Sequence, residues 1–443
     1  MFAINARLRK YQLLKYFAGN FYLYQNLQLR QSLRIKPSIR RAAKLACARV
    51  NTRDLILSHL PPIKNAKIIQ HVRNNGFRRG PFPNAKNNLN DTVIAAAQTT
   101  IIGWPGYTPT PLVSLESIAA ACGVRAVYYK DEAHRFDLRS FKALGGAYAV
   151  AQLVNVEKKS GRDPSKLTVT TATDGNHGRS VSWGAQLAGC RAEIYIHKHV
   201  SKAREKAMAQ YGAKVTRVDG NYEASLAACK VDAEKHGWHI ISDTSWDGYR
   251  DIPLLIMAGY TLIGREVIDQ LGAETLTHCF LPIGVGGLAS GIVAPLWQHM
   301  NENLPCMISV ESYMSACFLE SIAAQTPTLI DINEETLMAG LSCGEVSQLA
   351  WELLQPSLSH CLAIDDAAVA PLMASFADGT IGGVKIEAGE CSTSGLAALL
   401  AAKQDPQCWQ NLGFNEDSVI LLIGSEGATD ADIYAELTSL GKS

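Results

Sequence analysis

Lys142 is the residue whose surroundings point most clearly to chemistry, because it stands just ahead of the glycine pair Gly145 and Gly146. A lysine amine can hold an aldehyde cofactor as a Schiff base, and after release it can act as a base. The neighbouring Phe141 can shield such a linkage, and the glycines allow close backbone approach. A lysine at a helix start is more often a solvated surface residue, so this interpretation depends on its companions.

A second polar turn, residues 173–178, contains Asp174 between a predicted strand and a predicted helix. Its carboxylate could accept a proton from the Cα of a substrate or pair with a second ammonium group. The competing interpretation is a helix N-cap, a position where aspartate is common. Asp243 is a further candidate, with a local turn-forming role as its alternative. His177 more often packs or bonds locally than ligates anything.

Two further turns complete a possible cofactor site. Ser425 closes a predicted strand, and its hydroxyl could bond a pyridine nitrogen without protonating it. A glycine-rich turn between a strand and an apolar helix can hold a phosphate on its backbone N–H groups. Alone, each is equally well explained as a tight turn, but with Lys142 they predict a pyridoxal phosphate site. The residues of the phosphate turn are Gly284, Val285, Gly286, Gly287 and Leu288.

The same glycine turn partly matches the glycine motif of dinucleotide-binding enzymes. Gly284 and Gly286 are followed by Glu311 at the end of the next predicted strand, near the place of a ribose-binding acid. However, Ala289 stands where the third glycine belongs, and the spacing to Glu311 is too long. A dehydrogenase would also leave Lys142 without a role, so we rank this interpretation low.

Residues 340–344 match the G-x-S-x-G form of a hydrolase nucleophile elbow around Ser342. In that fold an acid and then a histidine follow the serine along the chain. Only His360 follows here, and it is too close for a later loop of the sheet. This glycine pair is therefore expected to shape a turn beside the cleft.

Charge is unevenly distributed along the 443 residues. Residues 1–53 hold 12 Lys and Arg and no acid, whereas the remainder holds the other 30 basic and all 41 acidic residues. The mildly acidic body argues against a nucleic-acid partner. We interpret residues 1–65 as a basic leader, disordered or not native to the protein. An organelle transit peptide and a basic interaction tail stay open as alternatives.

Composition excludes several other classes. No run of about 18 apolar residues occurs, so no membrane span is predicted. The 11 cysteines are scattered singly, without metal-ligand spacing, which is typical of reduced thiols in a cytosolic compartment. We therefore expect no metal site.

Short apolar runs alternate with longer helical patterns from about residue 124 to the last predicted strand, residues 419–423. This alternation predicts an α/β fold with two lobes, three layers and parallel sheets, with a site in the cleft. The expected large domain joins residues 79–150 with 250–443, and the small α/β domain covers 151–249. Residues 104–112 are too proline-rich for a helix or a central strand.

Taken together, the motifs resemble the fold-type II pyridoxal-phosphate enzymes, and among them most closely the diaminopropionate ammonia-lyases. The resemblance covers about residues 79 to 440. Its most specific parts are residues 107–112, 130–132, 139–148, 173–179, 243–246, 256–260 and 338–345.

The resemblance implies a role for each position. Lys142 would be the Schiff-base lysine and the base for L-substrates, and Asp174 the base for D-substrates. Asn176 would bond the phenolic oxygen of the cofactor, and Asp243 would be a further acidic residue of the pocket. The turn at residues 284–288 would hold the phosphate, and Ser425 would face the pyridine nitrogen. The matching turn of threonine dehydratase has a small apolar residue in place of Asp174.

The implied reaction is α,β-elimination of 2,3-diaminopropionate, giving pyruvate and two molecules of ammonia. A threonine or serine dehydratase on the same fold is the alternative. A non-catalytic amino-acid sensor would be expected to have lost Lys142. The resemblance further implies a cytoplasmic homodimer whose partner is a small amino-acid substrate. Residues 389–395 depart from the usual family pattern, which could alter substrate fit or a dimer contact.

Overall fold

The computed structural model describes residues 66–83 and 88–442, so the predicted leader, residues 1–65, lies outside the described residues. All described residues belong to one compact unit. In chain order, their strands are β1 (Ile68–Arg73), β2 (Leu112–Ser114), β3 (Ala126–Asp131), β4 (Thr168–Ala172), β5 (Arg191–His197), β6 (Lys214–Val218), β7 (His239–Ile240), β8 (His278–Pro282), β9 (Cys306–Ser312), β10 (His360–Ile364) and β11 (Val419–Gly424).

Helices cover both sheets and carry most of the remaining core. In chain order they are α1 (Asp91–Ile102), α2 (Glu116–Cys122), α3 (Lys142–Lys159), α4 (Asn176–Ala188), α5 (Lys202–Ala209), α6 (Tyr222–His236), α7 (Asp251–Leu271), α8 (Gly287–Met300), α9 (Cys317–Ala324), α10 (Gln348–Ser357), α11 (Val369–Asp378), α12 (Ser394–Gln404), α13 (Pro406–Leu412) and α14 (Ala431–Leu440). No helix among them is long and apolar enough to cross a membrane.

The larger sheet has seven strands in the order β1-β10-β9-β8-β11-β3-β2. Its five inner strands are parallel, and the two edge strands β1 and β2 run antiparallel to their neighbours. Strands β8, β10 and β11 are buried along their whole length, as expected for parallel strands covered on both faces. The predicted α/β fold with parallel sheets is confirmed.

The smaller sheet has four parallel strands in the order β6-β5-β4-β7. Its strands fall between residues 168 and 240, inside the segment predicted as the small domain. The described residues form one unit by their contacts, so the division into a large and a small domain stays a prediction.

In both sheets, the carboxyl ends of neighbouring parallel strands bring distant parts of the chain together. In the larger sheet, Gly424 of β11 pairs with Asp131 of β3, and Leu422 pairs with Phe280 of β8. The turns that follow β8 and β11 therefore meet at one edge. In the smaller sheet, β4 and β7 are neighbours, which brings residues 173–176 close to residues 241–243. Such edges are where open α/β sheets bind ligands.

A buried ion network holds the segment before β2 against α7. Glu266 of α7 accepts hydrogen bonds from Lys130 (2.6 Å), Arg135 (2.7 Å) and the backbone N–H of Thr110 (3.1 Å). Arg135 also pairs with Glu132 at 2.9 Å. The four charged side chains are at most 3% exposed. Burial would raise the pKa of Glu266, but the cations outweigh it and lower that pKa.

Candidate active site

Lys142 is the first residue of α3, and the preceding backbone is fixed to the end of β11. The N–H of Phe141 donates to the carbonyl of Ser425 at 3.0 Å. A Cβ at Gly145 would lie 2.5 Å from Tyr260 of α7, so the glycine lets α3 pack closely on α7. Sequence and packing thus place the lysine amine beside the carboxyl end of the large sheet.

The Lys142 amine meets the carboxylate of Asp243, to which Nζ donates a hydrogen bond. Both side chains remain open to the cleft, 22% and 23% exposed. Burial alone would lower the pKa of Lys142 and raise that of Asp243. The opposite charges outweigh burial, so the pKa of the lysine is raised and that of the aspartate is lowered. The lysine is therefore held as a cation until the pair is broken.

The loop that carries Asp243 is anchored at several points. The Ser245 hydroxyl lies 2.7 Å from that of Ser347, and the Tyr249 hydroxyl donates to the carbonyl of Ile240 at 2.8 Å. The ring of His177 bonds through Nε2 to the carbonyl of Ile241 at 2.8 Å, so Nε2 carries the proton. Burial lowers the pKa of His177. As predicted from the sequence, His177 bonds locally.

Asp174 does not cap helix α4. The hydroxyl of Thr173 accepts the N–H groups of Gly175 (3.0 Å) and Gly178 (3.1 Å), and therefore takes the capping position. Asp174 instead bonds through Oδ1 to Nε2 of His197 at 2.9 Å. Loss of surrounding water raises the pKa of Asp174, although His197 opposes the shift. The carboxylate is 49% exposed and is free to meet a ligand.

The charges of Asp174, Asp243 and Lys142 act on the same neighbouring side chains, Tyr222 and Cys343. The Tyr222 side chain is partly exposed, but loss of water around its hydroxyl raises its pKa, the two aspartates raise it further, and Lys142 opposes them. The same three charges act on Cys343, whose pKa is raised to about 12, chiefly by burial. Sequence reasoning missed Tyr222 because nothing marks it beyond being the first residue of a helix. Cys343 lies in the turn predicted to stand beside the cleft.

The turn of residues 284–288 connects β8 to α8, as predicted. Gly286 has a φ of +102°, and a Cβ there would lie 2.6 Å from Phe318. A Cβ at Gly284 would lie 2.9 Å from Sγ of Cys343. At Gly287 the nearest atom would be 3.6 Å away, on Tyr260, which is an ordinary van der Waals contact, so a Cβ would fit here without overlap. The turn thus presents backbone N–H groups at the start of a 14-residue helix, which suits a phosphate.

Asn176 is linked to the residue that follows Ser425, Glu426. Ser425 is 3% exposed, and its hydroxyl lies 3.4 Å from that of Ser392. Asn176 Nδ2 donates to Oε2 of Glu426 at 2.5 Å. To bond a cofactor oxygen as predicted, the Asn176 amide has to share or leave this partner. Sequence reasoning missed Glu426, because its contact with Asn176 forms only in the folded chain and nothing in the sequence marks it.

The polar atoms around the lysine fit pyridoxal phosphate. The hydroxyl of Tyr260, the hydroxyl of Ser290 and Nδ1 of His177 are buried without a hydrogen-bond partner. The Tyr260 ring lies 4.9 Å from that of Phe141 and borders Gly287. An amine for the aldehyde, a helix start for the phosphate and buried polar groups that lack a hydrogen-bond partner match the chemistry of this cofactor.

The two alternative functions considered from the sequence, a dehydrogenase and a hydrolase, lack their required residue arrangements among the described residues. Glu311 is fully buried, accepts the N–H groups of Phe318 and Leu319 at 2.8 Å each, and thereby caps α9 instead of facing a ribose. Burial raises its pKa to about 8. Ser342 donates to Glu335 at 2.8 Å, whereas His360 lies in β10 and bonds to His71 at 3.0 Å. No hydrolase triad forms among these residues.

Comparison with known proteins gives the same result. The family of pyridoxal-phosphate dependent enzymes matches residues 103–422. Diaminopropionate ammonia-lyase of Escherichia coli is 36% identical over 76% of this chain and 89% of its own length. The Salmonella typhimurium protein of the same name is 32% identical over 76% of this chain and 90% of its own length.

Solved structures agree with the sequence comparison. The Escherichia coli diaminopropionate ammonia-lyase in complex with an aminoacrylate–pyridoxal phosphate intermediate superposes with a TM-score of 0.76 at 34% identity, covering 84% of this chain and 97% of that one. Threonine deaminase of Solanum lycopersicum, at 20% identity and a TM-score of 0.65, shares the fold and covers 86% of this chain and 95% of its own. The chain therefore belongs to the pyridoxal-phosphate dependent enzymes, and within them to the diaminopropionate ammonia-lyase family.

Proposed function

We propose that this protein is a pyridoxal-phosphate dependent carbon–nitrogen lyase that converts 2,3-diaminopropionate to pyruvate and two molecules of ammonia. The observation that carries the proposal is that Lys142 pairs with Asp243 after β7, while Asp174 follows β4, the neighbouring strand of the smaller sheet. Asp174 is released from helix capping by Thr173, so its carboxylate is available for chemistry. Relatives that match most of this chain carry the same reaction in their name.

The chain's own residues divide the work of holding the cofactor. Lys142 would bind the aldehyde carbon, and the N–H groups of residues 284–288 would bind the phosphate. Ser425 would meet the pyridine nitrogen, and Asn176 the phenolic oxygen. Pyridoxal phosphate, when bound, supplies an electron sink for the charge left on Cα after proton removal.

Two bases would then serve the two isomers of the substrate. Lys142, once displaced by the substrate amine, takes the Cα proton of the L-isomer, and Asp243 holds the amine in position beforehand. Asp174 takes the Cα proton of the D-isomer from the opposite side. The β-amino group leaves as ammonia, and hydrolysis of the released product gives pyruvate and the second ammonia.

The test is to incubate the holoenzyme with D- and L-2,3-diaminopropionate and with L-threonine, and to measure 2-oxo acid release. We expect pyruvate from both isomers of diaminopropionate, well above 2-oxobutyrate from threonine. Faster turnover of threonine would make the protein a dehydratase and would overturn the proposal.

Lys142→Ala tests the covalent attachment directly. Without the amine, the absorbance band of the lysine-bound cofactor should be absent, and turnover of both isomers should fall below detection. The spectrum of purified, cofactor-supplemented protein measures the first effect. Persistence of the band would assign the linkage to another lysine.

We also propose that the enzyme acts as a homodimer in the cytoplasm. The family resemblance supports the dimer, and the singly scattered cysteines suit a reducing compartment. If residues 1–53 act as a transit peptide, the location is an organelle instead. Light scattering gives the oligomeric state, and fractionation of cells expressing the chain with and without residues 1–65 gives the location.

A further inference from the structure

His197 is placed to control the carboxylate of Asp174. It is the last residue of β5, the strand next to β4, so its ring stands beside the turn that follows β4. Its Nε2 lies 2.9 Å from Oδ1 of Asp174, and the imidazole is 18% exposed. The mechanism above gives this residue no part.

The hydrogen bonds of the ring fix its tautomer. Nδ1 of His197 accepts the backbone N–H of His199 at 3.3 Å, so this nitrogen carries a lone pair and no proton. The proton is then on Nε2, which donates to Asp174. A ring held in this way points a donor at one carboxylate oxygen and leaves the other oxygen of Asp174 for a substrate.

The imidazole is not needed to hold its own turn. Three carbonyls of that turn, those of residues 197, 198 and 200, accept from Nη1 of Arg217 at 3.2, 2.8 and 2.7 Å. Arg217 is in turn paired with Glu205 at 2.5 Å. The backbone therefore has a separate clamp, and the ring of His197 is available for Asp174.

Asp174 receives one other support, from Arg204 of α5. Nη1 of Arg204 donates to the backbone carbonyl of Asp174 at 3.3 Å and does not reach the carboxylate oxygens within hydrogen-bond distance. The side chain is thus oriented by His197, while Arg204 steadies the backbone.

We propose that His197 is a positioning residue that aims the Asp174 carboxylate for proton removal from D-substrates, and that it leaves the L-branch through Lys142 unaffected. The inference rests on the proposed function, because it requires that the two isomers use different bases. Selectivity between D- and L-diaminopropionate then becomes a property of the Asp174–His197 pair.

Three variants of the holoenzyme separate this role from a structural one. His197→Phe keeps a ring but removes the donor, and His197→Gln returns an N–H donor to the same region. His199→Phe is the matched control, since it alters an exposed neighbouring ring and leaves the backbone N–H in place. For each, kcat/KM is measured with D- and L-diaminopropionate across pH, together with the thermal midpoint.

In His197→Phe we expect kcat/KM for the D-isomer to fall on the order of tenfold to hundredfold, as for loss of a hydrogen bond to a charged group. The L-isomer should be processed as by the wild type. The acid limb of the D-profile should move to higher pH, because a donor that lowers the pKa of Asp174 is gone. His197→Gln should recover much of the D-activity, and His199→Phe should match the wild type.

Equal losses with both isomers, or an unchanged ratio of D to L turnover in His197→Phe, would overturn the positioning role. A pH profile for the D-isomer whose acid limb stays at the wild-type position in His197→Phe would also overturn the positioning role. Turnover of the two isomers by the wild type tests the proposed function separately. If the wild type processes neither isomer, or only the L-isomer, the assignment of Asp174 is wrong and this inference falls with it.

Discussion

Asp243 sets the charge of the lysine that has to bind the cofactor. Lys142 sits in a partly buried position, where a lone amine would lose its proton more easily. The facing carboxylate reverses this tendency and keeps the amine charged. Schiff-base formation needs the neutral amine, so the pair has to part, or pass on its proton, when the cofactor binds.

Asp243→Asn should therefore lower the pKa of Lys142, because burial remains while the opposing charge is lost. The measurement is the pH dependence of Lys142 labelling by an amine-reactive reagent in the apoenzyme, followed by mass spectrometry. Asp247→Asn, an exposed substitution in the same loop, is the control and should leave the profile unchanged. An identical profile for Asp243→Asn would contradict the assigned electrostatics.

Asp174→Asn should separate the two isomers of the substrate. Loss of a general base costs roughly 10²- to 10⁴-fold, so D-isomer turnover should fall by that amount while L-isomer turnover persists. The thermal midpoint should hardly change, because Thr173 and not Asp174 caps the helix. Intact D-turnover, or a marked loss of stability, would contradict the assignment.

At the scale of elements, the glycine turn before α8 combines two different demands on glycine. Gly286 needs a positive φ and has Phe318 and Ala350 within 2.7 Å of where a Cβ would stand. Gly287 meets neither constraint, because a Cβ there would make only an ordinary van der Waals contact with Tyr260 at 3.6 Å. One glycine serves the fold, and we infer that the other leaves room for the phosphate.

Alanine substitution should distinguish these demands. Gly286→Ala should destabilise the apoenzyme through steric overlap and an unfavourable φ. Gly287→Ala should leave apoenzyme stability nearly unchanged but weaken cofactor binding, because its methyl group would fill the cradle. Urea unfolding and cofactor titration of both variants provide the measurement. If Gly286→Ala and Gly287→Ala changed apoenzyme stability and cofactor affinity to the same extent, the proposed division of roles between the two glycines would be wrong.

The sequence predicted the elements that carry strong periodicity or long apolar runs. The predicted strand at residues 419–423, for example, differs from β11 by one residue at its end. The first ordered strand begins before the predicted start at residue 79, because β1 is a half-exposed edge strand with polar Gln70 and His71 in it. Its apolar residues Ile68, Ile69 and Val72 do not alternate with polar ones, so the sequence does not mark this strand and its pairing with β10 defines it.

The candidate site was predictable where a motif spans adjacent residues, and not where contacts cross the chain. Lys142 and the turn at residues 284–288 follow from local pattern. The sequence left Asp174 open between a helix cap and a catalytic group, and only the folded turn shows that Thr173 takes the capping position. His197 carries no signal at all, because its importance comes from the neighbouring position of β5 and β4.

At the scale of the whole molecule, the buried ion network is a structural device separate from the site. Glu266→Gln leaves the cations Lys130 and Arg135 under-compensated in the interior. Breaking a buried pair in this way costs roughly 3–5 kcal/mol. We expect a lower free energy of unfolding with an unchanged ratio of D to L turnover. Asp269→Asn, which breaks an exposed pair with Arg265 on the same helix, should cost at most about 0.5 kcal/mol.

The effect of Glu266→Gln should also depend on pH. Because the folded pKa of Glu266 is lowered, its contribution is complete above the unfolded pKa of about 4.3 and is lost as the pH falls through the folded value. The difference between wild type and variant, measured by urea unfolding, should therefore shrink in acid. A constant difference from pH 7 to the acid limit would show that the carboxylate charge is not what stabilises the fold.

The position of β11 has a consequence for how the protein is made. This strand lies at residues 419–424, yet it sits between β8 and β3 in the middle of the seven-stranded sheet. The four strands of the smaller sheet, by contrast, are contiguous in the chain. During translation the smaller sheet can therefore assemble early, while the larger sheet has to wait for a strand that leaves the ribosome late. Nascent chains that stop short of residue 419 would lack both the central strand and Ser425, and would need protection from aggregation until synthesis passes that point.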